Sequence, residues 1–323
     1  MQATPVTERL SDRQETGAGR LRGVLAPVVT AFKRDLSPDP VRYVRHCKWL
    51  LEHGCAGLAA FGTNSEANSL SVDERMLLLE TLIQCGVPAA RLMPGTGMCA
   101  LADSVRLTSH AVKLGCAGVL MLPPFYYKGV SDEGLYRNFA EVIERVGDAR
   151  LQVYLYHIPP VSQVPITLAL IERLLRAYPD NVAGVKDSSG DWSNTRAMLD
   201  AFAKQRFDVF AGSEVFLLEN LRHGGVGCIT ATGNVNPAAI NRLYENWRSA
   251  DADQLQQGIS ATRGIAQKYP MMAALKAVIA HWGRDPEWAT VRPPLVELTA
   301  AQSDSLIAEL TASGFDMPGL AAS

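Results

Sequence analysis

From about residue 22 onward, short runs of apolar and β-branched residues alternate with longer stretches whose apolar positions recur every three to four residues. The first pattern fits buried strands, and the second fits amphipathic helices. Eight strands are predicted, over 23–32, 57–62, 91–95, 118–122, 151–157, 182–186, 207–212 and 227–231. Helices are predicted over 40–53, 71–85, 101–114, 131–146, 166–177, 192–204, 214–222 and 237–249, so each strand is followed by a helix. Gly or Pro marks nearly every junction. Ser71 with Glu74 reads as a capping box, and Ser131 precedes an acidic first turn. A faint internal repeat links GCAGLAAFG at residue 54 to GCAGVLMLP at residue 115, each a small-residue helix end running into a buried strand.

Eight such units predict an α/β fold, the (β/α)8 TIM barrel. A doubly wound sheet would need a glycine fingerprint after its first strand, and Thr30-Ala31-Phe32-Lys33 has none. Beyond residue 250, helical patterns recur over 253–268, 271–282 and 301–312. The middle one, MMAALKAVIAHW, is apolar most of the way round and is expected to be buried, against the barrel or at a subunit interface. The chain therefore divides into a flexible N-terminal arm (1–21), the barrel (22–250) and a C-terminal helical extension packed on it (251–323).

Composition narrows the function classes. The 323 residues are 47% hydrophobic and 20% charged with a formal net charge of −2, so a large core is expected and no basic face invites nucleic acid. No run reaches the eighteen or so apolar residues of a membrane span. The polar N-terminus lacks the apolar core of a signal peptide, which predicts a cytoplasmic protein. Six scattered cysteines without a CxxC pair predict reduced, buried thiols, and six dispersed histidines predict no metal site.

In a barrel of this type the chemistry sits at the C-terminal ends of the strands. Those ends carry Thr30, the Gly62-Thr63-Asn64-Ser65-Glu66 turn, Tyr126 and Tyr127, Tyr156, Lys186, Gly212-Ser213-Glu214, and Ile229-Thr230-Ala231-Thr232. Lys186 lies thirty residues after Tyr156, about one strand-helix-strand unit, which makes them neighbours at one height. A lysine emerging from an apolar strand into a partly dry cavity loses stabilisation of its charge. Beside a phenol, it is equipped to attack a carbonyl and handle the protons that follow. Backbone amides and hydroxyls of the 62–66 turn suit a carboxylate. Taken singly, Lys186 reads as a salt bridge to Asp187, Tyr156 as a core residue and the turn as a helix cap. Their co-location on one barrel face favours a site for a 2-keto acid.

These segments resemble the dihydrodipicolinate synthase and N-acetylneuraminate lyase family of Schiff-base, pyruvate-handling lyases. GTNSE is similar to its carboxylate-binding turn, YHIP to its YxxP element, GVKDSSGD to its Schiff-base segment and PPFYYKGVSDEGL to its loop after the fourth strand. The resemblance implies Lys186 as the imine-forming lysine and Tyr156 as the proton-relay phenol. It gives Thr63 and Asn64 the substrate carboxylate and Tyr127 a reach into a neighbouring subunit, and lines the pocket with Gly212 and Ile229. No cofactor is implied beyond the covalent imine on Lys186. A homotetramer, a dimer of dimers, is implied as well. Where true dihydrodipicolinate synthases carry an arginine five residues after the tyrosine, this chain has Val161, which removes a bidentate carboxylate fork. Asn64 resembles the 4-hydroxy-2-oxoglutarate aldolase branch. With Glu214 and Val161 added around the aldehyde end, the expectation is a lyase or aldolase. Its substrate is expected to be a 2-keto-3-deoxy sugar acid or 4-hydroxy-2-oxoglutarate. A dehydratase using the same imine, an authentic dihydrodipicolinate synthase and a non-catalytic keto-acid-binding barrel are the alternatives.

Overall fold

The computed structural model describes residues 19–322. The arm expected over 1–21 thus lies almost wholly outside the described residues. Seven parallel strands make one curled sheet: β1 (Gly23–Ala26), β2 (Gly57–Leu58), β3 (Val119–Met121), β4 (Val153–His157), β5 (Val182–Asp187), β6 (Asp208–Ala211) and β7 (Gly227–Ile229). Their spatial order is β2-β1-β7-β6-β5-β4-β3.

Residues 92–95 fill the gap between β3 and β2 and close the ring. The Met93 amide donates to Leu58 O at 2.9 Å on one side, and Leu120 N donates to Pro94 O at 2.9 Å on the other. This is the third of the eight predicted strands, 91–95, reduced to isolated bridges at Leu92 and Gly95. Pro94 has no N–H to give a ladder, so regular pairing fails there while the path is kept. Likewise β1 stops at Ala26, short of the predicted residue 32, where Pro27 ends the donor row.

Eight helices follow the eight staves in turn: Pro40–Glu52, Val72–Gln84, Leu101–Lys113, Asp132–Val146, Leu168–Ala177, Trp192–Phe202, Leu217–Arg222 and Pro237–Glu245. The capping box forms as read, with Ser71 Oγ accepting from Glu74 N at 3.1 Å and Glu74 Oε2 accepting from Ser71 N at 2.8 Å. Both GCAG segments begin on a glycine in the left-handed region, Gly54 (φ 105°) and Gly115 (φ 80°), which releases the helix into the next strand. Leu25, Ala59, Met93, Leu120, Tyr154, Tyr156, Phe210 and Ile229 fill the barrel interior.

At the N-terminal mouth, Asp208 faces Arg22 (3.4 Å) and Arg20 (3.6 Å) and accepts from Tyr154 OH at 3.3 Å. Burial holds the Asp208 carboxyl above its ordinary value, with both arginines opposing. The mouth is thereby plugged, and open chemistry is left to the other end. The helices Ala252–Ala266, Met271–Trp282 and Ala300–Ala312 form the C-terminal extension. Met271–Trp282 is buried from Ala273 through Ile279, including Lys276. Of the cysteines, all free, Cys47, Cys55 and Cys228 are buried, whereas Cys85 and Cys99 are exposed. Cys85 caps a surface helix at its C-terminus, which corrects the expectation of uniformly buried thiols.

The pairing of β4 with β5 carries a one-residue shift. Val153 pairs with Val182, but Tyr154 pairs with Gly184, so Ala183 is passed over and Tyr156 comes opposite Lys186. Without that bulge Tyr156 would face Val185, and Lys186 would turn to the other face of the sheet. Gly184 permits the shift: a Cβ there would lie 2.2 Å from Asp208 O and 2.9 Å from the Tyr154 ring. Neither the backbone carbonyl nor a packed ring yields easily. Gly184→Ala is expected to destabilise the protein by about 2 kcal/mol or more, read as a lowered midpoint in urea unfolding.

Candidate active site

At the open end of the barrel, β4 and β5 deliver Tyr156 and Lys186 side by side, each only 3% exposed. The Lys186 nitrogen lies 4.3 Å from the centroid of the Tyr156 ring. Among the described residues it has neither a hydrogen-bond acceptor nor a carboxylate partner. Asp187 is not its counter-ion, because the side chain after Lys186 points to the opposite face. There the Asp187 carboxylate accepts from Ser189 N (2.9 Å), Ser189 Oγ (3.0 Å), Asn194 Nδ2 (3.1 Å) and Thr195 Oγ1 (2.6 Å). A salt-bridged strand end is thus ruled out.

His157 leaves the strand on the Asp187 side. Its Nδ1 accepts from Ile166 N at 2.9 Å, and its Nε2 is 4.0 Å from Asp187. Burial holds the imidazole below its ordinary value against the pull of Asp187. His157 therefore packs the outer wall and takes no part in the interior cluster.

The turn after β2 completes the group. Thr63 Oγ1 and Tyr156 OH share a 3.2 Å hydrogen bond across 93 residues of chain. Thr63–Ser65 is a short 3-10 turn whose first amides have no acceptor within it. Phe61 (φ 60°) enters the turn and Glu66 (φ 54°) leaves it, both in the left-handed region. For non-glycine residues such backbone costs on the order of 1–3 kcal/mol and persists only when its surroundings over-determine it.

Here they do. The Glu66 carboxylate is wholly buried, accepting from Lys276 Nζ and from Arg292 N at 2.8 Å. Thr30 Oγ1 donates to Ser65 O at 2.7 Å, Arg75 donates to Ala67 O, and Arg292 Nη1 donates to Ser69 O at 2.6 Å. Lys276 also donates to Thr290 O at 2.7 Å. Burial pushes its ammonium down to about 8, with Glu66 opposing. Sequence reasoning missed this clamp. Its one signal was a lone lysine inside MMAALKAVIAHW, and the partner stands 210 residues away.

Gly212 and Ile229 line the same end. The Gly212 amide donates to Asp187 O at 2.7 Å, and a Cβ on Gly212 would sit 2.1 Å from Ser188 Oγ, so only glycine fits where β6 leaves the sheet beside β5. Ile229, at the end of β7, is fully buried in the interior cluster. Asn64 is half-buried beside Thr63.

Three other expected residues are placed apart from this cluster. Glu214 is completely buried, its carboxylate engaged by Thr230, Thr232 and Arg263 (3.1 Å). Facing those donors rather than the cavity, it braces the ends of β6 and β7, which corrects its expected contact with substrate. Val161 is 62% exposed, on the helical turn Pro159–Ser162 that follows β4. Tyr127 is 69% exposed, its ring edge-on to Tyr126 at 5.5 Å. The following residue anchors that loop, with Lys128 Nζ donating to Ser162 O at 2.7 Å.

Comparison with known proteins gives the family. A profile described as the dihydrodipicolinate synthetase family matches residues 20–313. An uncharacterised DapA-like lyase of Chloroflexus aurantiacus is 32% identical over 86% of this chain and 92% of its own. A 4-hydroxy-tetrahydrodipicolinate synthase of Bartonella bacilliformis is 29% identical over 91% of this chain and 98% of its own. Among solved structures, dihydrodipicolinate synthase from Agrobacterium tumefaciens superposes with a TM-score of 0.83 at 29% identity, covering 90% of this chain and 98% of that one. YagE of E. coli, a family protein solved in complex with pyruvate, gives 0.83 at 26%, covering 91% and 99%. With a closed parallel barrel, a buried lysine and tyrosine at its open end and a family match across nearly its whole length, this chain belongs to the dihydrodipicolinate synthetase family of lyases and aldolases.

Proposed function

We propose that the protein is a Schiff-base lyase or aldolase acting on a 2-keto acid, with Lys186 as the amine and Tyr156 as the proton carrier. The observation that carries this reading is the Lys186 nitrogen 4.3 Å from the Tyr156 ring, in a buried site where it has no counter-ion among the described residues. The amine, once unprotonated, adds to C2 of the keto acid, and the carbinolamine loses water to give an iminium. The iminium draws electrons from the bond between C3 and C4, so that bond breaks and leaves an enamine. Tyr156 gives its phenolic proton to the hydroxyl that leaves the carbinolamine as water, and the phenolate then takes the proton of the C4 hydroxyl as the aldehyde departs. The restored phenol protonates C3, and it regains its proton when water adds to the product iminium. Hydrolysis then frees pyruvate and the amine. The reverse sequence joins the same carbons. Thr63 holds the phenol through its 3.2 Å hydrogen bond, and the turn at Thr63 and Asn64 receives the carboxylate.

No cofactor or metal enters this scheme. The exposed, apolar Val161 favours a 2-keto-3-deoxy sugar acid or 4-hydroxy-2-oxoglutarate over a substrate that needs an arginine fork at that place. The exposure of Tyr126 and Tyr127 supports a tight dimer, within a tetramer, in which Tyr127 serves the neighbouring site. The pyruvate complex of YagE supports pyruvate as the shared fragment.

Borohydride reduction in the presence of pyruvate, followed by peptide mass mapping, is expected to place the adduct on Lys186. Lys186→Met should give none, and a wild-type adduct on another lysine would reject the assignment. Tyr156→Phe should still form the adduct, while turnover of a cleavable keto acid falls about 10²–10⁴-fold. Unchanged turnover in that variant would remove Tyr156 from the chemistry. Product analysis assigns the reaction: pyruvate plus an aldehyde is expected, whereas a dehydrated semialdehyde would mean elimination of water.

A further inference from the structure

We propose that Lys276, in the C-terminal extension, is a positioning residue for the carboxylate-binding turn, and that this turn binds keto acid only while Lys276 holds Glu66. The inference rests on the reading just given, in which Thr63 and Asn64 receive the carboxylate. Lys276 touches no reacting group; it acts through Glu66.

The case is geometric. Glu66 closes the turn: its amide donates to Thr63 O at 3.1 Å, and its own backbone is left-handed at φ 54°, ψ 37°. A side chain held in that conformation fixes where Thr63 and Asn64 point. Both carboxylate oxygens are committed, one to Lys276 Nζ and the other to Arg292 N at 2.8 Å. Lys276 and Glu66 side chains are both 0% exposed, so water cannot replace either partner. Other charged groups bear on the pair. Arg292 lies nearby and forms its own ion pair with Glu74 at 2.6 Å, and Glu297 acts on Lys276 electrostatically. The Phe32 ring, 4.4 Å from the Lys276 nitrogen, covers the remaining side.

A buried ion pair is weak evidence for stability, because apolar residues of similar volume often replace one without loss. Its best use is to fix a unique geometry, and here the geometry fixed is that of a ligand-binding turn. The chain beyond the eight barrel units thus supplies a part of the site that the barrel lacks. The helix Met271–Trp282 carries the one ammonium that turns Glu66 inward.

The test titrates pyruvate against trapping of the Lys186 adduct in three proteins: the wild type, Lys276→Met and the double variant Glu66→Gln/Lys276→Met. Thermal midpoints are measured alongside. Lys276→Met leaves a buried carboxylate without its cation and is expected to lose thermal stability. The double variant removes both charges and is expected to regain most of it. In both, the pyruvate concentration for half-maximal trapping should rise about tenfold or more while the adduct yield at saturation is unchanged. A purely structural ion pair predicts otherwise: the double variant would recover stability and the wild-type midpoint together, and that result overturns the proposal. Should Lys276→Met fail to fold, the double variant decides alone. Absence of any wild-type adduct would instead defeat the imine reading and this inference with it. A wild-type adduct with unshifted midpoints in the variants would defeat the clamp and leave the imine reading standing.

Discussion

A single slipped register decides where the chemistry of this barrel can occur. Side chains alternate strictly along a strand, so a lysine and a tyrosine on adjacent parallel strands meet only if their pairing puts them on the same face. The shift at Ala183 and Gly184 does so, setting Lys186 against Tyr156 and sending the next pair, His157 and Asp187, to the outer wall. The outward pair is then satisfied by hydrogen bonds of its own. The inward pair is left with an amine resting on an aromatic face and a phenol held by Thr63. Polar groups on the wall are spent on structure, and those in the mouth are left available for a ligand.

Around that pair the C-terminal extension works as a second layer of support. Met271–Trp282 brings Lys276 to Glu66 beneath the turn after β2. Ala252–Ala266 brings Arg263 to Glu214, Gln256 to the Glu214 carbonyl at 3.0 Å, and so braces the exits of β6 and β7. Two buried carboxylates at strand ends are each neutralised by a cation from outside the barrel. Both anions sit where the chain must turn sharply, and both would carry a large desolvation cost alone. The opposite mouth is closed by Asp208 with Arg20 and Arg22, so the scaffold is rigid at one end and shaped at the other.

Much of this was legible in the sequence. Strand and helix periods gave the barrel, and the apolar run at Met271–Trp282 gave a helix with both of its ends. The turn, the tyrosine and the lysine were visible as chemistry at strand ends. What escaped depended on long-range partners or on backbone detail. Pro94 turned a strand into bridges, because one missing donor breaks a ladder without changing the apolar pattern. Glu214 looked like a pocket residue because Arg263, its cation, lies 49 residues downstream in another helix. The direction of His157 follows from that of Tyr156 by strand alternation, but which face Lys186 takes depends on the bulge at Ala183. Gly184 inside a strand was the available sign of a close backbone approach.

The most direct measurement of the central claim is a crystal structure of the protein grown or soaked with pyruvate. The account predicts continuous density from Lys186 Nζ to C2 of the ligand, the Tyr156 hydroxyl within hydrogen-bonding reach of the adduct, and the ligand carboxylate over Thr63 and Asn64. Pyruvate bound elsewhere, or a Lys186 side chain turned to the outer wall and paired with a carboxylate, would contradict it.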